Sequence, residues 1–274
     1  MSTMLDSESF AYAVARPLDE VYEFLLEPAN YGKWAFVHDA SMQHISARDF
    51  AVETTVGPRI VRFPARNDFG VLDLGLMKRE GDAVHPSGLW VFPNGAGTEL
   101  IYTNFRWPDM TAPEWESAKS WITADYMALQ SLLESRGRVA PMMPTQVVSL
   151  PIARPVKQVY EFLVQPENFA RWAFVGDTAM RHLSDNAWAV ETSVGPRILK
   201  FATRNDYFDL THTASPPGEA PHTIPMRLIA NGDGAQLIYV FMQYPGLGDA
   251  EWRSMMEWVT ADLGVLKSYL ETAA

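Results

Sequence analysis

Cysteine is absent from this 274-residue sequence. Disulfides, thiolate metal sites and a cysteine nucleophile are excluded together. Long apolar runs are also missing, and no stretch of about 18 apolar residues is available to span a bilayer. The opening residues, MSTMLDSESF, place no basic segment ahead of an apolar one. No secretory signal is therefore expected, and a cytoplasmic location is the default. Basic charge is scarce beside acidic charge, leaving a net charge of −11. That balance repels nucleic acid and anionic membrane surfaces, and no basic stripe offsets it. The phosphate-cradling glycine loop, the dinucleotide glycine motif, the serine nucleophile elbow and the HExxH zinc motif do not occur. The histidines, His38, His44, His85, His182, His212 and His222, lack metal-ligand spacing with acidic neighbours. No metal and no cofactor are expected.

What the sequence does contain is itself, twice. EVYEFLLEPANYGKWAF from Glu20 recurs as QVYEFLVQPENFARWAF from Gln158. VETTVGPRI from Val52 returns as VETSVGPRI from Val190, and ARNDF from Ala65 as TRNDY from Thr203. These pairs lie 138 residues apart. NGAG from Asn94 answers NGDG from Asn231, and WITAD from Trp121 answers WVTAD from Trp258, both 137 apart. The copies are thus collinear, and each is long enough to close its own core. RGRVAPMMPTQ from Arg136, with two prolines and no periodicity, reads as the linker. Its Met142 and Met143 are candidates for packing between the copies.

One copy reads as follows. Phe10, Tyr12 and Val14 alternate with small residues, as in a strand. Pro17 then opens a short helix through LDEVYEFLLEP, and a second short helix or turn holds Trp34. From Ser41 to Arg106 the pattern is strand-like, with breaks at Ala47-Arg48, Gly57-Pro58, Asn67-Asp68 and Asn94-Gly95. A long helix from about Pro113 to Ser135 closes the copy. The plan is α+β.

This element order, with RPxxxVYEFLxxPxNxxxWAF, resembles the SRPBCC superfamily (START, Bet v 1 and polyketide cyclases) over nearly all of both copies. The resemblance implies two tandem helix-grip domains, residues 1–136 and 146–274. Each would be a curved antiparallel sheet of about seven strands around a long C-terminal helix, with two short helices. It implies a cavity between sheet and helix, and a hydrophobic small molecule, lipid or polyketide-like, held there. An aromatase/cyclase-like enzyme is the alternative, and a cochaperone-like or ligand-free scaffold a second one. One fold hosts many activities, so the site must decide.

Candidate site residues follow from patterning. On the terminal helix, Ala118, Ile122, Tyr126, Leu129 and Leu133 share a face, with Asp125 in its middle. Asp262 repeats that anomaly among Trp252, Met255, Val259, Leu266 and Leu270. An aspartate there is structural, held by an arginine or by backbone amides, or it faces a ligand. Strand parity makes Arg59 and Arg197 the cavity-side arginines and expected partners, with Phe201 on the face of Arg197. Trp34, Trp172 and Tyr239 complete the expected lining. The copies differ where a cavity would lie: His212 replaces Leu74, and Arg227 replaces Trp90. Single-domain relatives tend to carry a histidine at the His212 position, which singles out copy two as the more polar cavity and copy one as filled or more apolar. His212, Arg227 and Asp262 are the candidate catalytic set. Outward or hydrogen-bonded structural roles for His212 and Arg227 are the competing reading.

Overall fold

The computed structural model describes residues 4–35, 42–54, 57–82, 84–108, 110–139, 141–173, 180–192 and 195–272. His38 and the final phenylalanine of each WAF triplet lie outside them. The chain divides into two compact units, Leu5–Met142 and the residues from Met143 onward, with Met4 grouped in the second. Pro141 and Met142 pack on the first unit's last hairpin. The Pro141 carbonyl accepts from the Ala96 amide at 3.1 Å. A Cβ on Gly97 would stand 2.9 Å from the Val14 carbonyl oxygen and 2.7 Å from the Met142 sulfur.

The first unit runs β1 (Ser7–Val14), α1 (Leu18–Leu26), α2 (Pro28–Tyr31), β2 (Gln43–Ser46), β3 (Asp49–Thr54), β4 (Gly57–Arg62), β5 (Leu74–Met77), β6 (His85–Asn94), β7 (Gly97–Phe105) and α3 (Ala112–Glu134). Helix α1 begins after Pro17 and stops before Pro28, whose ring denies the preceding residue a helical conformation. Thr111 and Glu114 form a capping box that starts α3. The seven strands form one antiparallel sheet in the order β1-β7-β6-β5-β4-β3-β2. Tyr126, Leu129 and Leu133 of α3 join Leu89, Leu100 and Tyr102 of the sheet in the core.

The second unit repeats the order: β8 (Thr145–Ile152), α4 (Val156–Leu163), a 3-10 turn (Pro166–Arg171), β9 (Arg181–Ser184), β10 (Ala187–Thr192), β11 (Gly195–Lys200), β12 (His212–Ser215), β13 (His222–Ile224), β14 (Met226–Asn231), β15 (Gly234–Met242) and α5 (Asp249–Thr272). Its strands form two sheets, β13-β12-β11-β10-β9 and β14-β15-β8. The division falls at Pro225. In the first unit the matching residue, Gly88, is where β6 exchanges β5 for β7 as its neighbour. Proline, lacking an N–H, suits a point where the ladder is interrupted. Both units are thus α+β, with antiparallel sheets and a long closing helix. Among the described residues no helix is long and apolar enough to cross a membrane.

The repeated VYEF and RND motifs have a common structural role. The Tyr22 hydroxyl donates to the Asn67 carbonyl at 3.0 Å and accepts its amide at 2.9 Å. The Asn67 side chain then closes the loop onto Phe69 and Val71, and Arg66 pairs with Glu23. Tyr160, Asn205, Arg204 and Glu161 repeat the clamp. It fixes the loop that leads into β5 and, in the second unit, into His212.

Candidate functional site

His212 begins β12, two residues after Leu210 and on the same face. It is 6% exposed. Its Nδ1 lies 3.1 Å from the Leu210 carbonyl. A carbonyl oxygen only accepts, so Nδ1 carries the proton and Nε2 is left as an acceptor. Among the described residues no hydrogen bond engages Nε2. Burial lowers the His212 pKa, against the opposing pull of the Leu210 carbonyl. The ring is therefore neutral near pH 7.

Around it lies a cavity of about 20 Å³, lined by Leu163, Phe169, Trp172, Phe201, Leu210 and Met226 with His212 among them. Phe201 stacks on His212 at 6.0 Å, and Phe169 meets it edge-on at 6.5 Å. Helix α4 and the 3-10 turn supply Leu163, Phe169 and Trp172, and the sheet supplies the rest. Phe169 meets Trp172 edge-on at 5.0 Å. The volume suits about one water-sized group. It lies between the sheet and the short helices, whereas the sequence reading placed it against the C-terminal helix.

Three of the expected residues of copy two meet here: His212, Trp172 and Phe201. The others do not. Arg227 follows Met226 on β14 and so takes the opposite face. It stands across from Asp209, flanked by the Leu210–Met226 and Leu228–Phe208 backbone hydrogen bonds. This pattern defines a non-hydrogen-bonded pair, the closer of the two side-chain arrangements. Arg227 Nε donates to the Tyr207 carbonyl at 3.3 Å. Burial raises the Asp209 carboxyl, and Thr211 and the Arg227 charge pull it back. The first unit builds the same feature from Val71 and Trp90, and Trp90 Nε1 donates to the Phe69 carbonyl at 2.9 Å. Arg227 is therefore a structural counterpart of Trp90, separated from His212 by the sheet.

Arg59 and Arg197 do not hold the aspartates. Each donates instead to the carbonyl of its preceding proline, at 2.8 and 2.9 Å. The reason is position: both arginines start their strands beside the tight turns at Gly57 and Gly195, where φ is +93° and +94°. Asp262 is 6% exposed and close enough to Tyr239 to help raise its phenol, which burial raises most. Neither Asp262 nor Tyr239 lines the cavity. Asp125 is only half-buried.

The first unit, expected to be filled or more apolar, carries buried phenols. Its interior is richer in hydroxyls than that of copy two. Tyr126 contacts Tyr12, Tyr102 and Trp34, with ring centroids 4.8, 5.4 and 5.5 Å away. Tyr31 meets Trp34 at 5.5 Å. Burial raises all four phenols, Tyr102 to about 12, and the Asp125 charge adds to each shift. The sequence reading compared only positions 74 and 90 and counted Tyr126 as apolar. The missed signal was the hydroxyls that the second copy lacks: Leu150, Phe169 and Leu263 stand where the first has Tyr12, Tyr31 and Tyr126.

Comparison with protein-family models and with curated proteins finds no match. Among solved structures, the chain is similar to the di-domain ARO/CYC BexL from the BE-7585A biosynthetic pathway. The identity is 17%, the coverage 98% of this chain and 100% of that one, and the TM-score 0.40. StfQ, a di-domain ARO/CYC from the steffimycin biosynthetic pathway, is 13% identical over 96% of this chain and 98% of its own, at 0.37. The Aha1 dimer from Colwellia psychrerythraea is 12% identical over 47% of this chain and 98% of its own, at 0.39. At these scores the likeness assigns neither a family nor an activity.

Proposed function

We propose that the chain binds a hydrophobic small molecule in the second unit, with its one hydrogen-bond-donating group at His212 Nε2. The observation that carries this reading is a buried, neutral imidazole whose acceptor nitrogen has no hydrogen-bond partner among the described residues, in a pocket otherwise lined by apolar side chains. Such sites combine apolar walls with very few polar groups. A whole ligand needs several hundred Å³. The present cavity of about 20 Å³ therefore receives the ligand's hydroxyl end, and the rings of Phe169, Trp172 and Phe201 move to admit the rest. The strand order of the first unit and the long closing helices support reading each unit as a helix-grip domain.

An aromatase/cyclase-like enzyme acting on a polyketide is the second reading. It rests on the same imidazole, which in its neutral form can take a proton from an enolisable chain. Arg227 plays no part in this reading, because it lies on the other face of the sheet.

Native mass spectrometry with added 1-naphthol tests the binding reading. Wild type is expected to retain one naphthol, and His212→Leu to lose it. Equal retention by both proteins, or none by either, counts against the site.

A further inference from the structure

A cavity of about 20 Å³ admits no ligand whole, so one wall of the His212 pocket has to move. The walls differ in how they are built. Leu163 stands on α4, and His212 and Met226 stand on strands held in ladders. Phe169 sits instead on the 3-10 turn Pro166–Arg171, and Trp172 caps that turn. The Phe169 ring meets Trp172, Phe201 and His212 at 5.0, 5.4 and 6.5 Å. Moving the turn withdraws the one ring that touches the other three and opens the space they share.

The turn is lightly held. Six residues is long for a 3-10 run, whose hydrogen bonds are poorer than those of an α-helix. None of the six is fully buried. Within the turn Asn168 Nδ2 donates to the Phe162 carbonyl at 2.9 Å, as Asn30 does to Phe24 in the first unit. At its end Arg171 donates to the Tyr269 hydroxyl of α5 at 2.8 Å, on the surface. The first unit cannot make this second link. Lys33 stands in place of Arg171 and donates to Asn30 of its own segment, and Leu132, with no hydroxyl, stands in place of Tyr269. There the matching segment is α-helical. The link to the closing helix thus occurs in the unit that carries the His212 pocket.

We propose that the turn Pro166–Arg171 is a lid over the His212 pocket, latched by the hydrogen bond from Arg171 to Tyr269, and that a ligand enters when the latch parts. The inference rests on the binding reading above and adds how that pocket opens. The latch belongs to the empty pocket alone, because a ligand that takes the space of Phe169 keeps the turn from reseating. Ligand and latch therefore compete, and parting the latch favours binding by enlarging the open population.

Tyr269→Phe removes the acceptor and keeps the ring that packs on Phe162 at 5.2 Å. Arg171→Ala removes the donor. Hydrogen–deuterium exchange of the ligand-free full chain follows the lid directly, since the Trp172 and Ala173 amides both donate to the Phe169 carbonyl. In both variants the segment 164–173 is expected to exchange about three- to tenfold faster than in wild type, one hydrogen bond's worth. The matching segment 26–35 of the first unit should exchange as before, which separates lid opening from general destabilisation. In stopped-flow fluorescence with 1-naphthol, association should quicken by a similar factor and dissociation stay unchanged. The double variant should be no faster than either single one, because both break the same bond. Wild-type exchange in both variants, association that neither variant changes, or effects that add in the double variant overturns the proposal. A wild type that binds no naphthol overturns the His212 reading instead, and the exchange result still decides the lid.

Discussion

Replacing Asp209 by valine, its counterpart in the first unit, removes a buried carboxylate that stands across from Arg227 on the neighbouring strand. Asp209 is 8% exposed and Arg227 3%. The Asp209 carboxylate accepts from the Thr211 hydroxyl at 2.7 Å and feels the Arg227 charge, and losing it should cost about 1–3 kcal/mol. Arg227→Trp leaves the carboxylate instead and should cost a similar amount. The double variant recreates Val71 and Trp90, and the new indole N–H can donate to the Tyr207 carbonyl as Trp90 does to Phe69. Replacing both buried charged groups by well-packed apolar ones is near neutral, so the double variant should return to within about 1 kcal/mol of wild type. The assay is urea unfolding followed by circular dichroism, with equal m-values confirming that one transition is compared. Strong non-additivity is the expected result. Single losses that simply add in the double variant would refute the pairing. The pH dependence has a definite sign. Burial raises the Asp209 carboxyl, so the folded state holds that proton more tightly than the unfolded chain. This contribution is present below the ordinary carboxylate range and is lost as pH rises through the folded value. The deficit of Asp209→Val is therefore larger in the acidic carboxylate range than at neutral pH.

The loop clamp, a glycine and the buried histidine give three further tests. Asn205→Ala deletes three hydrogen bonds to the backbone of Tyr207 and Asp209, and should cost about 2–3 kcal/mol in urea unfolding. A loss below about 0.5 kcal/mol would remove the clamp's role. Gly70, at φ +67°, would bring a Cβ within 2.0 Å of the Val91 carbonyl oxygen, so Gly70→Ala should cost on the order of 3 kcal/mol. The second unit carries Phe208 at that position with φ +54°, so a small loss would show that the strand opens there as it does around Phe208. His212, its pKa lowered by burial, contributes stability above the unfolded histidine value of about 6.5, and this is lost as pH falls through the folded value. In His212→Leu that slope should vanish from the pH dependence of unfolding, and an unchanged slope would mean the imidazole is already solvated.

The sequence made the repeat, the element order and the closing helices legible, because collinear motifs and apolar periodicity act over many residues at once. Asn94-Gly95 marked a real turn, with Gly95 at φ +59°, whereas Gly57 and Pro58 begin strand β4. His212 lines the pocket together with Leu210, the residue two before it. Arg227 was singled out by its match to Trp90, and the face it takes follows from β14, where Met226 beside it lines the pocket. The aspartates' partners were not readable, because Arg59 and Arg197 are captured by carbonyls of their own turns. Asp209 went unnoticed, as its meaning comes only from the strand it faces. The phenols of the first unit were hidden inside residues scored as apolar.

Nitrogen-15 NMR of the imidazole of His212 during titration with 1-naphthol addresses the binding site most directly. The ring is expected to begin as the neutral Nδ1–H tautomer, with Nε2 shifting as it accepts the naphthol hydroxyl and Nδ1 little changed. An Nε2 resonance that naphthol leaves unmoved, or a ring that titrates near the ordinary histidine value, would contradict a buried acceptor awaiting a ligand.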